Sequence, residues 1–175
     1  MRQVLILLAL SLHSVFWGQT FTLYSADIEG QSTKEMVFNG FGCNGANKSP
    51  ELNWKNAPKE TKSFAVTMYD KDAPTGSGWW HWVVFDIPGN ITKIQSDAGD
   101  ISKNLLPMGA IQSLTDFGTP GYGGPCPPEN DGPHQYIITI HALKVKRIGL
   151  DKNATPAMVG FYLNNNVLAK SSLVM

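Results

Sequence analysis

Residues 63–90 read SFAVTMYDKDAPTGSGWWHWVVFDIPGN, and this stretch decides the fold. Two runs rich in β-branched and aromatic residues, Ser63–Tyr69 and Trp79–Ile87, are separated and ended by Gly, Pro and Asp residues. Such runs bounded by turn residues predict β-strands. A third run of the same character, Gln135–Leu143, lies further along the chain. The sequence therefore predicts a mainly β protein.

The flanking sequence adds shorter strands and little helix. The shorter candidate strands are Phe21–Tyr24, Glu35–Phe38 and Glu51–Trp54. Helical spacing of apolar residues is clear only near the C-terminus, where Thr155 is a suitable N-cap and Pro156 suits the first turn. Residues 95–124 form a long polar loop with room for one short helix. We expect one antiparallel, two-sheet β-sandwich with a few short peripheral helices over residues 20–175.

Composition supports one folded domain and excludes several classes of protein. The chain has 175 residues, of which 42% are hydrophobic and 16% charged. This length and composition suit one domain with a real core, and not a disordered or coiled-coil chain. Fourteen basic residues balance fourteen acidic ones, whereas nucleic-acid binders usually carry a basic excess. We expect no nucleic-acid partner, and either a monomer or a homodimer.

The N-terminus indicates export, and export bears on the state of the two cysteines. Residues 1–19 begin with a basic residue, continue with a short apolar stretch and end with small or polar residues, as a cleaved signal peptide does. The stretch is too short to span a bilayer. We therefore expect a secreted or periplasmic protein in an oxidising compartment, without an integral membrane span. There, Cys43 and Cys126 either form one disulfide, worth roughly 4 kcal/mol for a loop of about 80 residues, or remain free thiols.

Two short motif matches do not fit their structural context. GFGCNG at residues 40–45 matches a dinucleotide fingerprint, but NKSP follows where that site needs a helix. DFG at residues 116–118 matches a kinase triplet, but the chain is too short and the other kinase motifs are missing. No serine or cysteine stands in a recognisable nucleophile motif beside a base, which indicates a protein without catalysis.

Acidic and histidine side chains instead gather where the predicted strands begin and end. Alternation along a strand places Trp79, His81, Val83 and Phe85 on one face, and Trp80, Trp82 and Val84 on the other. By the same rule His134 shares a face with Tyr136, and His141 lies on the opposite face as a packed residue. Histidines, loop carboxylates and aromatic rings together predict a small ligand pocket.

Three segments carry a resemblance to a known family: DKDAPTGSGWWHWVVFDIP, GYGGPCPP and GPHQYIITIHAL. They resemble the phosphatidylethanolamine-binding protein family, in its bacterial Raf-kinase-inhibitor-like branch. The resemblance implies a compact β-sandwich with a pocket for phosphate-like groups. The residues that it assigns to ligand binding are Asp70, Asp72, Ala73, Pro74, Trp79, His81, Pro127, Pro128, His134 and Tyr136.

Two positions depart from the usual pattern of this family. Lys71 stands where a proline is usual between Asp70 and Asp72, and Gln135 stands where an arginine usually follows His134. That arginine often pairs with a loop carboxylate, and Gln135 cannot form such an ion pair. The departures therefore put the rigidity of the pocket loops in question. Asp72 is expected to shape a turn as well as, or instead of, binding a ligand.

Three hypotheses for function follow. The leading one is a non-catalytic secreted or periplasmic protein that binds a small phosphorylated or carboxylated ligand, or the anionic side chain of a partner, without a cofactor. The second is a kinase or serine-protease inhibitor that uses residues 121–131 as its contact surface. The third, a metal-dependent hydrolase, would use Asp70, His81 and His134 as zinc ligands.

Overall fold

The computed structural model of the protein describes residues 19–175, so the predicted signal peptide lies almost wholly outside the described residues. Most of the described chain is strand or loop, and none of its helices has the length and apolar character of a membrane span. The elements in chain order are β1 (Thr22–Tyr24), β2 (Asn39–Gly40), β3 (Cys43–Asn44), β4 (Leu52–Lys55), β5 (Ser63–Asp70), β6 (Trp79–Pro88), β7 (Lys93–Ile94), a 3₁₀-helix (Ile101–Lys103), β8 (Ile111–Gln112), β9 (Tyr136–Leu143), α1 (Pro156–Asn166) and β10 (Val167–Val174).

The strands form two packed sheets and a small hairpin. The larger sheet has the order β10-β9-β5-β6-β8, the smaller one β1-β4-β7, and all their pairings are antiparallel. Trp54 and Leu52 of the smaller sheet share a buried apolar cluster with Met68 and Ile138 of the larger one. Helix α1 covers the other face of the larger sheet with Leu163. The predicted antiparallel β-sandwich with few helices is confirmed.

The three long predicted strands are confirmed to within one residue at each end. Strand β5 lies between β6 and β9, so the segment that decided the fold supplies the centre of the larger sheet. The predicted strands at Phe21–Tyr24 and Glu51–Trp54 correspond to β1 and β4 with a shift of one residue. The 3₁₀-helix of residues 19–175 lies in the long polar loop, as expected.

The predicted strand at Glu35–Phe38 is wrong. This segment turns instead, because the backbone N–H groups of Met36 and Val37 both donate to the carbonyl of Thr33. Gly124 packs so closely against the segment that a Cβ there would overlap the carbonyl oxygen of Met36. The backbone groups of this segment therefore bond to neighbouring loops, and pairing in a strand begins only at β2.

The C-terminal helix is confirmed, and the strand after it was not predicted. The Thr155 hydroxyl accepts a hydrogen bond from the backbone N–H of Met158 and caps α1, which begins at Pro156. The helix ends at Asn166, and Val167 is the first residue of β10. This edge strand is half-exposed and contains the polar run Lys170-Ser171-Ser172, so it lacks the continuous apolar signal of the central strands.

Candidate functional site

A cavity of about 190 Å³ lies where three neighbouring strands of the larger sheet begin or end. Asp70, the last residue of β5, is paired with Trp79 at the start of β6 and with Tyr136 at the start of β9. The sheet register therefore brings three predicted site residues together. Nine of the ten predicted residues line the cavity, namely Asp70, Ala73, Pro74, Trp79, His81, Pro127, Pro128, His134 and Tyr136.

A β-bulge turns His81 into this cavity. Trp80 is paired with Tyr69 and Trp82 with Met68, so His81 is an extra residue with no partner opposite it. The His81 ring lies 5.1 Å from that of Tyr136, on the face that also carries Trp82. The predicted alternation is therefore wrong across this point, although Trp82 and Val84 share a face as predicted.

Val83 and Phe85 pack on the other face of the sheet, in the cluster that α1 covers, and not on the face of His81. Strict alternation fails because a bulge adds one residue to one strand and shifts every later side chain.

His134 is held between two carboxylates. Its Nδ1 lies 2.6 Å from Oδ2 of Asp70, and its Nε2 lies 3.2 Å from Oδ2 of Asp131. Burial of the imidazole lowers the pKa of His134, but the bonds and charges of Asp70 and then Asp131 outweigh it, so the pKa is raised. The two carboxylates therefore favour the cationic form of His134.

His81 is neutral and has a defined tautomer. Its Nδ1 lies 2.6 Å from the carbonyl oxygen of Gly123, and since a carbonyl only accepts, Nδ1 carries the proton. Burial lowers the pKa of His81, and the weaker effects of the Gly123 carbonyl and Asp70 do not restore it. Nε2 of His81 is therefore a hydrogen-bond acceptor.

Tyr136 contributes a buried hydroxyl that has no hydrogen-bond partner in residues 19–175. The whole residue is 5% exposed and its ring lines the cavity. Burial, and after it the carboxylates of Asp70 and Asp72, raise the pKa of Tyr136, so its hydroxyl keeps its proton. A buried hydroxyl without a partner is costly, and such groups are found where a ligand or water completes the bond.

Asp72 does not line the cavity but fixes the loop beside it. Its Oδ1 lies 2.7 Å from Nζ of Lys71, and its Oδ2 accepts from the backbone N–H of Gln135 at 2.8 Å. The hydrogen bond and charge of Lys71, followed by the bond from Gln135, lower the pKa of Asp72. Asp72 is thus paired with the exposed ammonium of Lys71 and with the backbone, and not with the side chain of Gln135.

Sequence reasoning missed four lining residues: Phe41, Thr75, Phe117 and Cys126. Phe41 and Phe117 lie in the two motif matches that were set aside, and their rings stack 5.8 Å apart. Phe117 also meets the ring of Trp79 edge-on at 5.4 Å, so an aromatic wall borders the cavity. Phe41 and Phe117 stand in loops and follow no strand or helix period, so no pattern in the sequence signals this wall.

A disulfide joins the loop that carries Phe41 to the proline segment that follows Cys126. Cys43 and Cys126 are bonded, which confirms the disulfide alternative for these two residues. Phe41 lies two residues before Cys43, and Pro127 and Pro128 directly follow Cys126. The disulfide therefore connects the aromatic wall, through the loop of Phe41, to the two prolines that line the cavity.

Three other candidate sites of the described chain lack the predicted functional residues, lack the arrangement of a metal site or are partly buried. A wider groove of about 930 Å³, lined mainly by residues 104–112, contains none of the predicted site residues. Among the described residues, no three His, Cys, Asp or Glu side chains are arranged to hold a metal ion, and His134 Nδ1 bonds to Asp70 itself. In the loop proposed for protein inhibition, residues 121–125 are buried, which leaves only its second half to contact a partner.

The fold and the cavity are those of a β-sandwich ligand-binding protein, and comparison with known proteins identifies the family. The sequence profile of the phosphatidylethanolamine-binding protein family matches residues 26–175, and the chain belongs to this family. It is similar to the YbcL protein of Escherichia coli, with 51% identity over 143 residues that cover 82% of this chain and 78% of YbcL.

A second relative and a solved structure agree with this assignment. The YbhB protein of E. coli is 48% identical over 137 residues, which cover 78% of this chain and 85% of YbhB. The crystal structure of E. coli YbcL, described as a new member of the mammalian PEBP family, superposes with a TM-score of 0.86 and 49% identity. The match covers 88% of this chain and 95% of that structure. The predicted family and its YbcL/YbhB-type branch are confirmed.

Proposed function

We propose that this protein is a non-catalytic binding protein that holds the phosphoryl or carboxyl end of a small ligand, or of a partner's side chain, in the cavity around Tyr136. The observation that carries the proposal is the buried, protonated hydroxyl of Tyr136, which has no hydrogen-bond partner within residues 19–175. A donor of this kind is stabilised by a ligand oxygen that accepts its proton.

The polar groups beside Tyr136 favour a ligand with both acceptor and donor atoms. His134 supplies a positive charge, since the nearby carboxylates raise its pKa. His81 presents a neutral acceptor at Nε2, which suits a hydroxyl, a protonated phosphoryl oxygen or an ammonium group. A phosphate monoester or phosphoryl headgroup can satisfy all three side chains at once.

The size of the cavity and its aromatic wall restrict which part of a ligand can enter the cavity. Drug-sized ligands occupy pockets of about 300–1,000 Å³, so a cavity of about 190 Å³ suits a small molecule or the tip of a larger one. Phe41, Phe117 and Trp79 surround the polar groups with aromatic surface. Aromatic faces attract an ammonium group, and they limit access of water to the hydrogen bonds.

The side chains of the cavity support binding in preference to catalysis. Both cysteines are consumed by the disulfide. The hydroxyl of Thr75 donates to the carbonyl of Gly78 and does not face a base. A side-chain nucleophile needs an adjacent base to become reactive, and neither Thr75 nor the two bonded cysteines make a hydrogen bond to a base in the described chain. Steady release of product from a phosphoester would overturn this part of the proposal.

We also propose that the protein acts outside the cytoplasm. The basic and apolar start of the chain has the form of a signal peptide, and a disulfide persists in secreted or periplasmic proteins. N-terminal sequencing of protein recovered from a periplasmic or culture fraction tests this. A chain that retains residues 1–19 and fractionates with the cytosol would contradict it.

Histidine signals in NMR spectra test the binding proposal directly. The purified protein is titrated with phosphoethanolamine, and with inorganic phosphate and acetate in parallel. We expect saturable shifts of the His81 and His134 imidazole signals, and loss of binding in His134→Ala. His141 lies on the opposite face of the sheet, bonded to Thr67, and its signal is the internal control. If all three histidines remain unchanged with every probe, the proposal is wrong.

A further inference from the structure

Both ring nitrogens of His134 are already hydrogen-bonded within the protein. Nδ1 meets Asp70 at 2.6 Å and Nε2 meets Asp131 at 3.2 Å. A carboxylate only accepts, so each nitrogen must carry a proton when both bonds are made. The imidazole in this arrangement is the cation. It has no third N–H to offer to a ligand.

The two carboxylates differ in how firmly they are held. Asp70 is 3% exposed, and its other oxygen accepts from the backbone N–H of Asp72 at 2.9 Å. The side chain of Asp131 is 37% exposed and lies in a solvent-facing loop. The flanking residues Asn130 and Gly132 both have left-handed backbone angles, at φ 68° and 84°. A ligand can therefore displace Asp131 from His134 but not Asp70.

We infer that Asp131 is an internal competitor for the pocket: its carboxylate occupies Nε2 of His134, and an anionic ligand must displace it to bond with that imidazole. This inference rests on the function proposed above, because it concerns the same cavity. It assigns to Asp131 control over affinity, and it makes the 128–133 loop the segment that changes on binding.

The local charges explain why displacement is needed. Three carboxylates, those of Asp70, Asp72 and Asp131, surround one imidazolium and the ammonium of Lys71. An incoming anion therefore meets a site with one excess negative charge. When the Asp131 carboxylate moves away, two negative and two positive side chains remain, so their charges cancel. The anionic ligand then takes the place of the Asp131 carboxylate. Ligands with a single net negative charge replace Asp131 without changing the total.

The test compares Asp131→Asn with Glu129→Gln. Both variants remove one negative charge from the same exposed loop, but Glu129 makes no hydrogen bond or ion pair within the described chain. Affinity for phosphoethanolamine and for inorganic phosphate is measured from the His134 imidazole signal. We expect Asp131→Asn to bind about two- to fivefold more tightly than Glu129→Gln, as suits the loss of one partly exposed ion pair.

A second measurement does not depend on a ligand. In the free protein, Asp131→Asn should lower the pKa of His134, and Glu129→Gln should leave it near the value of the unmodified protein. If the unmodified protein binds phosphoethanolamine and the two variants bind it equally, the inference is wrong and the proposed function stands. If no form of the protein binds either probe, both are wrong.

Discussion

Nδ1 of His134 lies 2.6 Å from Oδ2 of Asp70, and both side chains are almost fully buried, at 2% and 4% exposure. Asp70 is the last residue of β5, and His134 lies two residues before β9, the strand paired with β5. The pair therefore locks the entry of β9 to the end of its neighbour. It also fixes the charge of the cavity, since Asp70 is the stronger of the two carboxylate influences on the pKa of His134.

Asp70→Asn should lower both the pKa of His134 and the stability of the protein. The folded pKa of His134 is raised, so its contribution to stability is complete below about pH 6.5 and is lost as the pH rises through the raised value. We expect a loss of about 2 kcal/mol at pH 6 and a smaller loss at pH 9, measured by urea unfolding. Asp72→Asn, which changes an exposed loop carboxylate, should cost less at both values. Equal losses at pH 6 and pH 9 would contradict the assignment of the charge to His134.

Tyr136→Phe should weaken binding without destabilising the fold. The hydroxyl of Tyr136 has no partner in the described part of the chain, so its removal breaks no bond. We expect stability within about 0.5 kcal/mol of the unmodified protein, and about tenfold weaker binding of phosphoethanolamine. Urea unfolding and isothermal titration calorimetry give the two quantities.

Tyr122→Phe is the matched control for that variant. The Tyr122 hydroxyl donates to the carbonyl of Met36 at 3.2 Å, outside the cavity. Its removal should cost about 1 kcal/mol of stability and leave binding unchanged. A Tyr136→Phe variant that is destabilised like Tyr122→Phe, yet binds normally, would show that the Tyr136 hydroxyl serves the fold and not a ligand.

The sequence predicted the fold because strand signals are local, whereas the family resemblance supplied nine of the residues that line the cavity. Runs of β-branched and aromatic residues identify β5, β6 and β9, and the motifs at Asp70, His81 and His134 mark their ends. What it could not show is the register. The bulge at His81 depends on how β6 pairs with β5. The sequence around Trp80 and Trp82 is the same whether or not the residue between them has a partner on β5.

The missed parts of the site depend on long-range loop packing. Phe117 lies in a loop almost 40 residues after Trp79, the ring that it contacts in the cavity. No periodic pattern in the sequence marks Phe117 as a lining residue. Asp131 contacts His134, three residues later in the chain, only because the loop between them turns back on itself. Asp72 was assigned to the ligand by resemblance, but its carboxylate is engaged by Lys71 and Gln135 instead.

Acid should destabilise the protein through His141. Burial, and then the charge of Lys170, lower the pKa of His141 to about 3. The neutral form is therefore the folded form, and its contribution to stability is present above about pH 6.5 and lost as the pH falls towards 3. Between pH 7 and pH 5 this group alone should remove about 2 kcal/mol. Urea midpoints at the two pH values measure the loss, to which His81 adds in the same direction because its pKa is also lowered.

A paired substitution isolates His141 from the other groups. Nε2 of His141 lies 3.1 Å from the hydroxyl of Thr67, while its Nδ1 is buried without a partner within residues 19–175. Replacing both with apolar residues, as Thr67→Val and His141→Leu together, removes the two side-chain polar groups of this pair and leaves neither of them unpaired. The double variant should lose about 2 kcal/mol less than the unmodified protein between pH 7 and pH 5. The same pH dependence in both proteins would mean that His141 is not the group that titrates.

Removal of the disulfide should affect both stability and binding. Cys43 and Cys126 are 83 residues apart in the chain, so their crosslink restricts a large loop of the unfolded chain. Cys43→Ser with Cys126→Ser should therefore cost roughly 4 kcal/mol.

The same crosslink holds Phe41, which is 75% exposed, against the proline segment that follows Cys126. Without it this wall is free to open, and we expect weaker binding of phosphoethanolamine at a temperature where the variant remains folded. Comparison with the intact protein, reduced under native conditions, separates the loss of the bond from the effect of the serines. Full stability loss with unchanged affinity in both preparations would show that the crosslink serves the fold alone, because the aromatic wall would then hold its position through the stacking of Phe41 on Phe117.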